Sequence, residues 1–157
     1  MAASRTGTKL VAQNRKARFD YEFLETYEAG LVLTGTEIKS IRQSGKVNLR
    51  QGYVQPKDGE LWLVNVNIAE YDFGNRENHE PQRRRKLLLH RREINAIEEQ
   101  LATAGLTCIP VRMYLKNGRA KVEIAVARGK KNYDKRQDIA KKDAKRQLQR
   151  SLKDAGY

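Results

Sequence analysis

The pair Asn117-Gly118 lies between two stretches of alternating apolar and polar residues. An Asn-Gly pair favours the two-residue turn of a β-hairpin, because both positions of that turn need positive φ angles. From residue 111 to 115, and again from 120 to 126, an apolar side chain occupies every second position. This period of two predicts a pair of antiparallel strands with one buried face.

Other stretches predict further strands and short helices. Residues 20–28 alternate and contain aromatic side chains, and Gly30 predicts a bulge or bend in that strand. The segment 56–60 predicts a turn between two more strands. Thr36 suits the N-cap of a short helix, and the apolar spacing predicts a second helix over 91–104. These elements predict a mainly β fold, an OB-type antiparallel barrel with two or three short helices, although a sandwich also fits the pattern.

The last thirty residues, 128–157, differ in composition from the rest of the chain. They contain eleven Lys or Arg against four Asp, which is a net charge of +7 within a total of +13. Written as a helix, the segment has one thin apolar stripe, formed by Ala140, Ala144, Leu148 and Leu152. A stripe this narrow buries little apolar area, so we expect a tail that is disordered when free and folds against a polyanion. The predicted organisation is a disordered lead over 1–8, a barrel over 9–128 and a basic tail over 129–157.

The composition predicts a cytoplasmic protein that is not an enzyme. Two His and one Cys are too few for a zinc site, and nothing assembles an acid, a base and a nucleophile. The single Cys108 agrees with a reducing compartment. The N-terminus lacks the apolar core of a secretory signal, and no apolar run approaches the ~20 residues of a membrane-spanning helix. We therefore expect no cofactor, no metal and no membrane partner.

Several basic clusters predict binding to RNA. They lie at residues 14–18, 83–86 and 91–92 and in the tail. Phe19 and Tyr21 lie beside the first cluster, and aromatic rings stack on unpaired bases, which favours RNA over duplex DNA. From charge alone, a solvated tail without any partner is the alternative.

Six ordered motifs carry a resemblance to a known family. They are Asn14-Arg-Lys-Ala-Arg18, Tyr27-Glu-Ala-Gly-Leu31, Gly35-Thr-Glu-Ile-Lys-Ser40, Arg85-Lys-Leu-Leu-Leu-His-Arg-Arg-Glu-Ile94, Ala127-Arg-Gly-Lys-Lys131 and Asp134-Lys-Arg136. With these motifs the chain resembles the SsrA-binding protein family, also called small protein B. Members of that family are the partners of transfer-messenger RNA in bacterial trans-translation.

The resemblance implies a fold, partners and a mechanism. The expected fold is an OB-type barrel with a C-terminal tail that is disordered when free. The barrel would bind the tRNA-like domain of transfer-messenger RNA (SsrA RNA) as a monomer. Elongation factor Tu would carry the charged RNA, together with the bound protein, to a stalled bacterial ribosome. The tail would then enter the decoding centre of the small subunit and the empty mRNA channel as a helix. Peptide tagging and ribosome rescue would follow.

The resemblance also assigns residues by their positions in the motifs. It implies an RNA-contacting surface made of Asn14, Lys16, Arg18, Glu28, Leu88, His90 and Lys121. It implies a decoding-centre segment made of Gly129, Lys130, Lys131, Tyr133, Asp134, Lys135 and Arg136. Glu28 suits an RNA surface because a carboxylate accepts hydrogen bonds from base amino groups. Tyr133 stands where the family often has His, and beyond Ile139 the tail follows the family only as a basic helix-former.

Two other classes of protein compete with this interpretation. A structural ribosomal protein also pairs a small domain with a basic tail. An RNA-modifying enzyme would need a catalytic constellation, and the sequence lacks one.

Overall fold

The structure is a computed structural model that describes residues 7–74 and 78–154, although the side chains of residues 132–134 and 154 lie outside the description. The described residues form nine strands and four helices. The strands are β1 (Thr8–Gln13), β2 (Tyr21–Leu31), β3 (Val47–Asn48), β4 (Tyr53–Lys57), β5 (Glu60–Val64), β6 (Asn67–Ile68), β7 (Arg85–Leu88), β8 (Leu106–Lys116) and β9 (Arg119–Gly129). The helices are α1 (Ala17–Asp20), α2 (Gly35–Gln43), α3 (Arg91–Leu101) and α4 (Asn132–Asp154).

Seven of the strands in the described part of the chain form one antiparallel sheet, in the order β1-β8-β9-β2-β7-β5-β4. Strands β3 and β6 pair separately. Strand β4, at one end of the order, lies against β8, the second strand from the other end, so the sheet curls around the core. Among the described residues, the strand pairings leave β1 and β4 unjoined, which is the order of an open sheet. The mainly β, antiparallel fold is confirmed, and a closed barrel stays a prediction.

The predicted hairpin at the centre of the sheet is confirmed. Strands β8 and β9 pair along their whole length, and the turn has positive φ angles at Asn117 (52°) and Gly118 (78°). Every second side chain of the pair faces the core, where Met113 and Val122 are fully buried. Cys108 is also buried in β8, and this burial raises the pKa of its thiol to about 12. It is the small apolar filler expected of a structural cysteine.

The N-terminal half differs from the sequence-based expectations in three places. Thr34, and not Thr36, is the N-cap of α2, because the Glu37 side chain completes a reciprocal capping box with Thr34. Gly30 lies within β2, and the register irregularity of that strand falls between Phe23 and Glu25. Strand β1 was not predicted, and it begins at Thr8, the last residue of the predicted disordered lead. Residues 1–6 of that lead lie outside the described residues.

The tail forms the 23-residue helix α4 in this structure. The sequence predicts that this segment is disordered when free and helical on the ribosome. The helix is consistent with a composition rich in Ala, Leu, Lys, Arg and Gln, which are all strong helix formers. Disorder of this segment in free solution stays a prediction. Across the described residues, no helix is both long and apolar enough to span a bilayer.

Candidate RNA-binding surface

A row of paired residues crosses five strands on the side of the sheet opposite the core. The strand registers align Leu88 with Gly30, Gly30 with Lys121, Lys121 with Tyr114, and Tyr114 with Leu10. Because directly paired residues project to the same side of a sheet, these five positions share one face, which we call the outer face. Leu88 and Leu10 are 53% and 54% exposed. One large apolar side chain therefore lies open to solvent at each end of the row.

Gly30 makes room for Lys121 at the centre of the outer face. A Cβ atom at position 30 would lie 3.3 Å from Cβ of Leu88 and 3.7 Å from Nζ of Lys121. The ammonium group of Lys121 therefore lies over β2, close to the exposed Leu88. A concavity of about 300 Å³ opens at this point; among its lining residues are Gly30, Ile38, Arg42, Leu88, Arg119 and Lys121.

Glu28 adds an acceptor to the same face, two residues before Gly30 on β2. The hydroxyl of Tyr114 donates a short hydrogen bond to Oε2 of Glu28, and Nζ of Lys116 lies 3.7 Å from Oε1. The hydrogen bond from Tyr114, together with the charges of Lys116 and Lys121, holds the pKa of Glu28 below its usual range despite partial burial. Burial and the Glu28 carboxylate raise the pKa of Tyr114, so the phenol keeps its proton and donates. At neutral pH Glu28 is therefore an ionised group that only accepts hydrogen bonds.

His90 lies two residues after Leu88, beyond the end of β7. It is exposed and forms the N-cap of α3, where its backbone N–H donates to Oε1 of Glu93 at 3.1 Å. Of the predicted residues, Glu28, Leu88 and Lys121 thus lie on the outer face, and His90 follows beyond the end of β7. They combine an acceptor, an apolar side chain, an imidazole and an ammonium group.

Asn14 and Lys16 lie elsewhere. The Nδ2 group of Asn14 donates to the carbonyl of Pro110 at 3.3 Å, and its backbone N–H donates to Val111. Both residues line a cleft of about 750 Å³ together with Arg15, Phe19, Arg50 and Lys142 of α4. Strand pairing places Gln13 three strands from Glu28, which is about 14 Å at the usual strand spacing. The cleft therefore lies about three strands from Glu28, beside the end of the outer face that Leu10 of β1 forms.

Arg18 belongs to a third group, at the base of the tail. Its guanidinium lies 4.8 Å from the centroid of the Phe23 ring, and its carbonyl accepts a hydrogen bond from Nζ of Lys130 at 2.8 Å. Nζ of Lys130 also pairs closely with Asp138. Lys130, which precedes α4, thereby links the second turn of the helix to α1.

Lys135 makes the second contact between the tail and α1. Its Nζ lies 3.3 Å from Oδ1 of Asp20 and 5.6 Å from the centroid of the Phe19 ring. Phe19, which the sequence suggested as a stacking platform, is therefore covered by a cation in this structure. Two of the predicted decoding-centre residues, Lys130 and Lys135, are engaged with the body.

The other predicted tail residues are placed as follows. Gly129 ends β9 opposite Tyr21, and the side chains of Lys131 and Arg136 are exposed. The side chains of Tyr133 and Asp134 lie outside the described residues.

Sequence reasoning missed four residues of the outer face: Leu10, Arg112, Tyr114 and Lys116. A signal was present, because Arg112, Tyr114 and Lys116 occupy the alternate positions of β8 that do not face the core. The alternation does not predict that β8 pairs with β1 and β9. That pairing brings Tyr114 within hydrogen-bonding reach of a carboxylate 86 residues away.

Comparison with known proteins agrees with this architecture. The family described as SmpB protein matches residues 11–154. The chain belongs to this family. It is 56% identical to the SsrA-binding protein of Thermobifida fusca (strain YX), over 94% of this chain and 91% of the relative. It is 58% identical to the SsrA-binding protein of Roseiflexus sp. (strain RS-1), over 98% of both chains.

A solved structure has a similar fold. It is described as "tmRNA-SmpB: a journey to the center of the bacterial ribosome" and is 48% identical to this chain. The TM-score is 0.65, and the match covers 77% of this chain and 85% of the other. Family membership and fold therefore agree with the resemblance carried by the sequence motifs.

Proposed function

We propose that this chain is a non-catalytic RNA-binding adaptor of ribosome rescue. Its body, residues 9–128, binds the tRNA-like domain of transfer-messenger RNA. Its tail, residues 129–157, enters the decoding centre and the vacant mRNA channel of a stalled ribosome. Support comes from membership of the SmpB family, from relatives named SsrA-binding protein, and from a structural neighbour described as tmRNA–SmpB in the ribosome.

The observation that carries the proposal is the separation of two surfaces with different chemistry. The outer face combines the acceptor Glu28 with exposed Leu88 and the ammonium of Lys121, which suits a folded RNA with accessible base edges. The tail holds ten of the 32 basic residues, eight of them on a helix with little apolar surface, which suits a channel walled by phosphates. One chain can thus hold one RNA while it probes another.

The remaining parts of the proposal follow from this division. The adaptor acts as a monomer in the cytoplasm, and elongation factor Tu meets it through the charged RNA. Asn14, Lys16 and Arg18 contribute a second, basic contact to the RNA, beside the base of the tail. Gly129 to Arg136 form the segment that reaches the decoding centre.

Sequencing the RNA that co-purifies with the full chain tests the proposal. We expect strong enrichment of one small RNA, transfer-messenger RNA, in a bacterium that lacks its own copy of the protein. Lys121→Glu should abolish the enrichment, because it places a negative charge beside Gly30 and Leu88. Lys57→Glu, which makes the same charge change on the β4–β5 hairpin, should retain it.

The opposite result would identify a different class of protein. Association with ribosomal RNA that survives a high-salt wash of the ribosome, without enrichment of a small RNA, would indicate a structural ribosomal protein.

A further inference from the structure

A second concavity opens on the outer face, on the other side of Glu28 from Leu88. Its volume is about 330 Å³, and it is lined by Thr8, Leu10, Glu28, Arg112, Tyr114 and Lys116. Ligand pockets in proteins begin at about 300 Å³, so this concavity suits one small planar group better than a larger molecule.

The walls of the concavity suit a flat aromatic group. Leu10 offers an exposed apolar side chain, while Tyr114 is nearly buried and gives the floor a fixed aromatic ring. The guanidinium of Arg112 lies 5.8 Å from the centroid of that ring, and its Nη2 donates to Glu123 at 3.0 Å. Nucleobases stack on apolar side chains and on guanidinium planes of this kind.

The carboxylate of Glu28 sets which base fits. An ionised carboxylate has about four lone-pair positions, and Tyr114 occupies one of them at Oε2. Lys116 lies 3.7 Å from Oε1, beyond hydrogen-bonding distance. Both oxygens can therefore accept further hydrogen bonds, and the group has none to donate.

A ligand that uses both oxygens must present two adjacent donors. Guanine does so with N1–H and the N2 amino group. Adenine, cytosine and uracil each place an acceptor beside their donor on the same edge, and that acceptor would face the negative carboxylate. Because base pairing in a duplex occupies this edge, the guanine has to be unpaired.

We propose that this concavity binds one unpaired guanine, with N1–H and N2–H donating to Glu28 and with Tyr114 acting as the positioning residue that orients the carboxylate. Arg112 and Lys116 stand at the rim, where cations meet the phosphates that flank the base. The proposal deepens the proposed function and rests on it, since it names the feature of the RNA that the outer face recognises.

Short synthetic RNAs test the proposal with the full-length protein. Heptamers of uridine that carry either guanosine or inosine at the centre differ by one amino group, because inosine lacks the N2 amino group. We expect the wild-type chain to bind the inosine heptamer about tenfold more weakly, as measured by fluorescence anisotropy. Glu28→Gln should remove this difference, since the amide offers one acceptor and one donor in place of two acceptors.

Two further variants test the positioning role of Tyr114 and control for the loss of a negative charge. Tyr114→Phe should shrink the difference between guanosine and inosine while it leaves the affinity for the inosine heptamer nearly unchanged. Glu60→Gln removes one negative charge on the far side of β7 and should leave the tenfold preference intact. A melting curve of each variant shows whether its fold is retained, and Glu28, whose side chain is 44% exposed, can be exchanged without opening the core.

Two results would overturn the proposal. One is equal affinity of the wild-type chain for both heptamers, or no binding to either at about 1 mM RNA. The other is a preference for guanosine that survives Glu28→Gln. If either result accompanies tight binding of the tRNA-like RNA, the guanine site fails while the proposed function stands. Loss of binding to the tRNA-like RNA itself would count against the proposed function.

Discussion

Glu37 and Arg85 form an ion pair in the interior of the protein, and both side chains are fully buried. Nε of Arg85 lies 2.5 Å from Oε2 of Glu37, and its two remaining nitrogens donate to the carbonyls of Val66 and Pro81. Arg83 donates to the other oxygen of Glu37 at 2.6 Å. This network joins α2 to β7 and to the long connection before it.

Removal of the carboxylate should destabilise the whole fold. We expect Glu37→Gln to lower the free energy of unfolding by about 3–5 kcal/mol, because it leaves the Arg85 charge buried without its counter-ion. Urea denaturation measures the change. Glu60→Gln is the matched control: it breaks ion pairs of half-exposed Lys86 and exposed Arg91, and it should change stability by less than about 1 kcal/mol.

The same pair gives a pH dependence with a defined sign. Burial raises the pKa of Glu37. Hydrogen bonds from Arg83 and the Thr34 backbone, together with the charge of Arg85, lower it by a larger amount, so the pKa of Glu37 lies below its ordinary value. Its stabilisation is therefore complete above the unfolded pKa of about 4.3 and is lost as the pH falls through the lower, folded value. This acid limb should be missing from the stability profile of Glu37→Gln. An unchanged limb would contradict the assignment.

At the residue level, the sequence predicts which side chains are charged better than it predicts which of them face the core. The run from Arg83 to Lys86 predicts four cations available to RNA. The structure turns Arg85 into the core, because alternate side chains of β7 point inwards. Its partner Glu37 lies 48 residues earlier in the chain, and no local pattern marks that distance.

At the level of elements, the base of α4 is held by two ion pairs and one ring contact, whereas the rest of the helix has weak anchors. Leu148 and Leu152 of the apolar stripe are exposed, and so is Ile139 outside it, so these side chains contribute little burial. The part of α4 beyond Ile139 is about four turns long, and an isolated helix of about 15 residues or fewer is marginal in water without tertiary packing. The anchored first turns and the remainder should therefore differ in stability.

Hydrogen exchange can measure this difference. We expect amides beyond Ile139 to exchange at nearly the rate of an unstructured chain, and amides near Lys135 to be more protected. Asp20→Asn should lower the protection near Lys135 several-fold, because it removes the charge that holds Nζ of Lys135. Asp58→Asn, in the β4–β5 turn, should leave the tail unchanged. Equal protection along the whole tail, or no response to Asp20→Asn, would contradict this account.

Strands and helices with a regular apolar pattern or a strong turn sequence are predictable from the sequence, whereas those with a weak pattern are not. The β8–β9 hairpin follows from Asn117-Gly118, and the helix predicted over 91–104 forms over Arg91–Leu101. The sequence does not predict strand β1, because the polar residues Lys9 and Gln13 interrupt its apolar pattern. It is a strand because it pairs with the edge of β8, and that partner is about a hundred residues away.

At the level of the whole molecule, charge is divided unevenly between the body and the tail. The last thirty residues hold +7 of the total charge of +13, and the larger body holds the remainder. Predicting that division required only composition. The grouping of Glu28, Leu88 and Lys121 on one face required the order of the sheet, which the sequence pattern alone left open between a barrel and a sandwich.

We propose that the body holds the RNA and that the tail tests the ribosome. A chain that ends at Gly129 separates these roles, and a full-length chain with residues 130–157 in scrambled order is its control for charge. Both are compared with the wild type in a reconstituted translation system with ribosomes stalled on an mRNA that lacks a stop codon. The readouts are the Kd for the tRNA-like RNA and the fraction of nascent peptide that receives the tag.

We predict that truncation changes the Kd by less than about tenfold and abolishes tagging. The scrambled tail should also fail to support tagging, since its charge is retained and its order is lost. Equal loss of RNA binding and tagging in the truncated chain, or tagging that persists without the tail, would contradict the account.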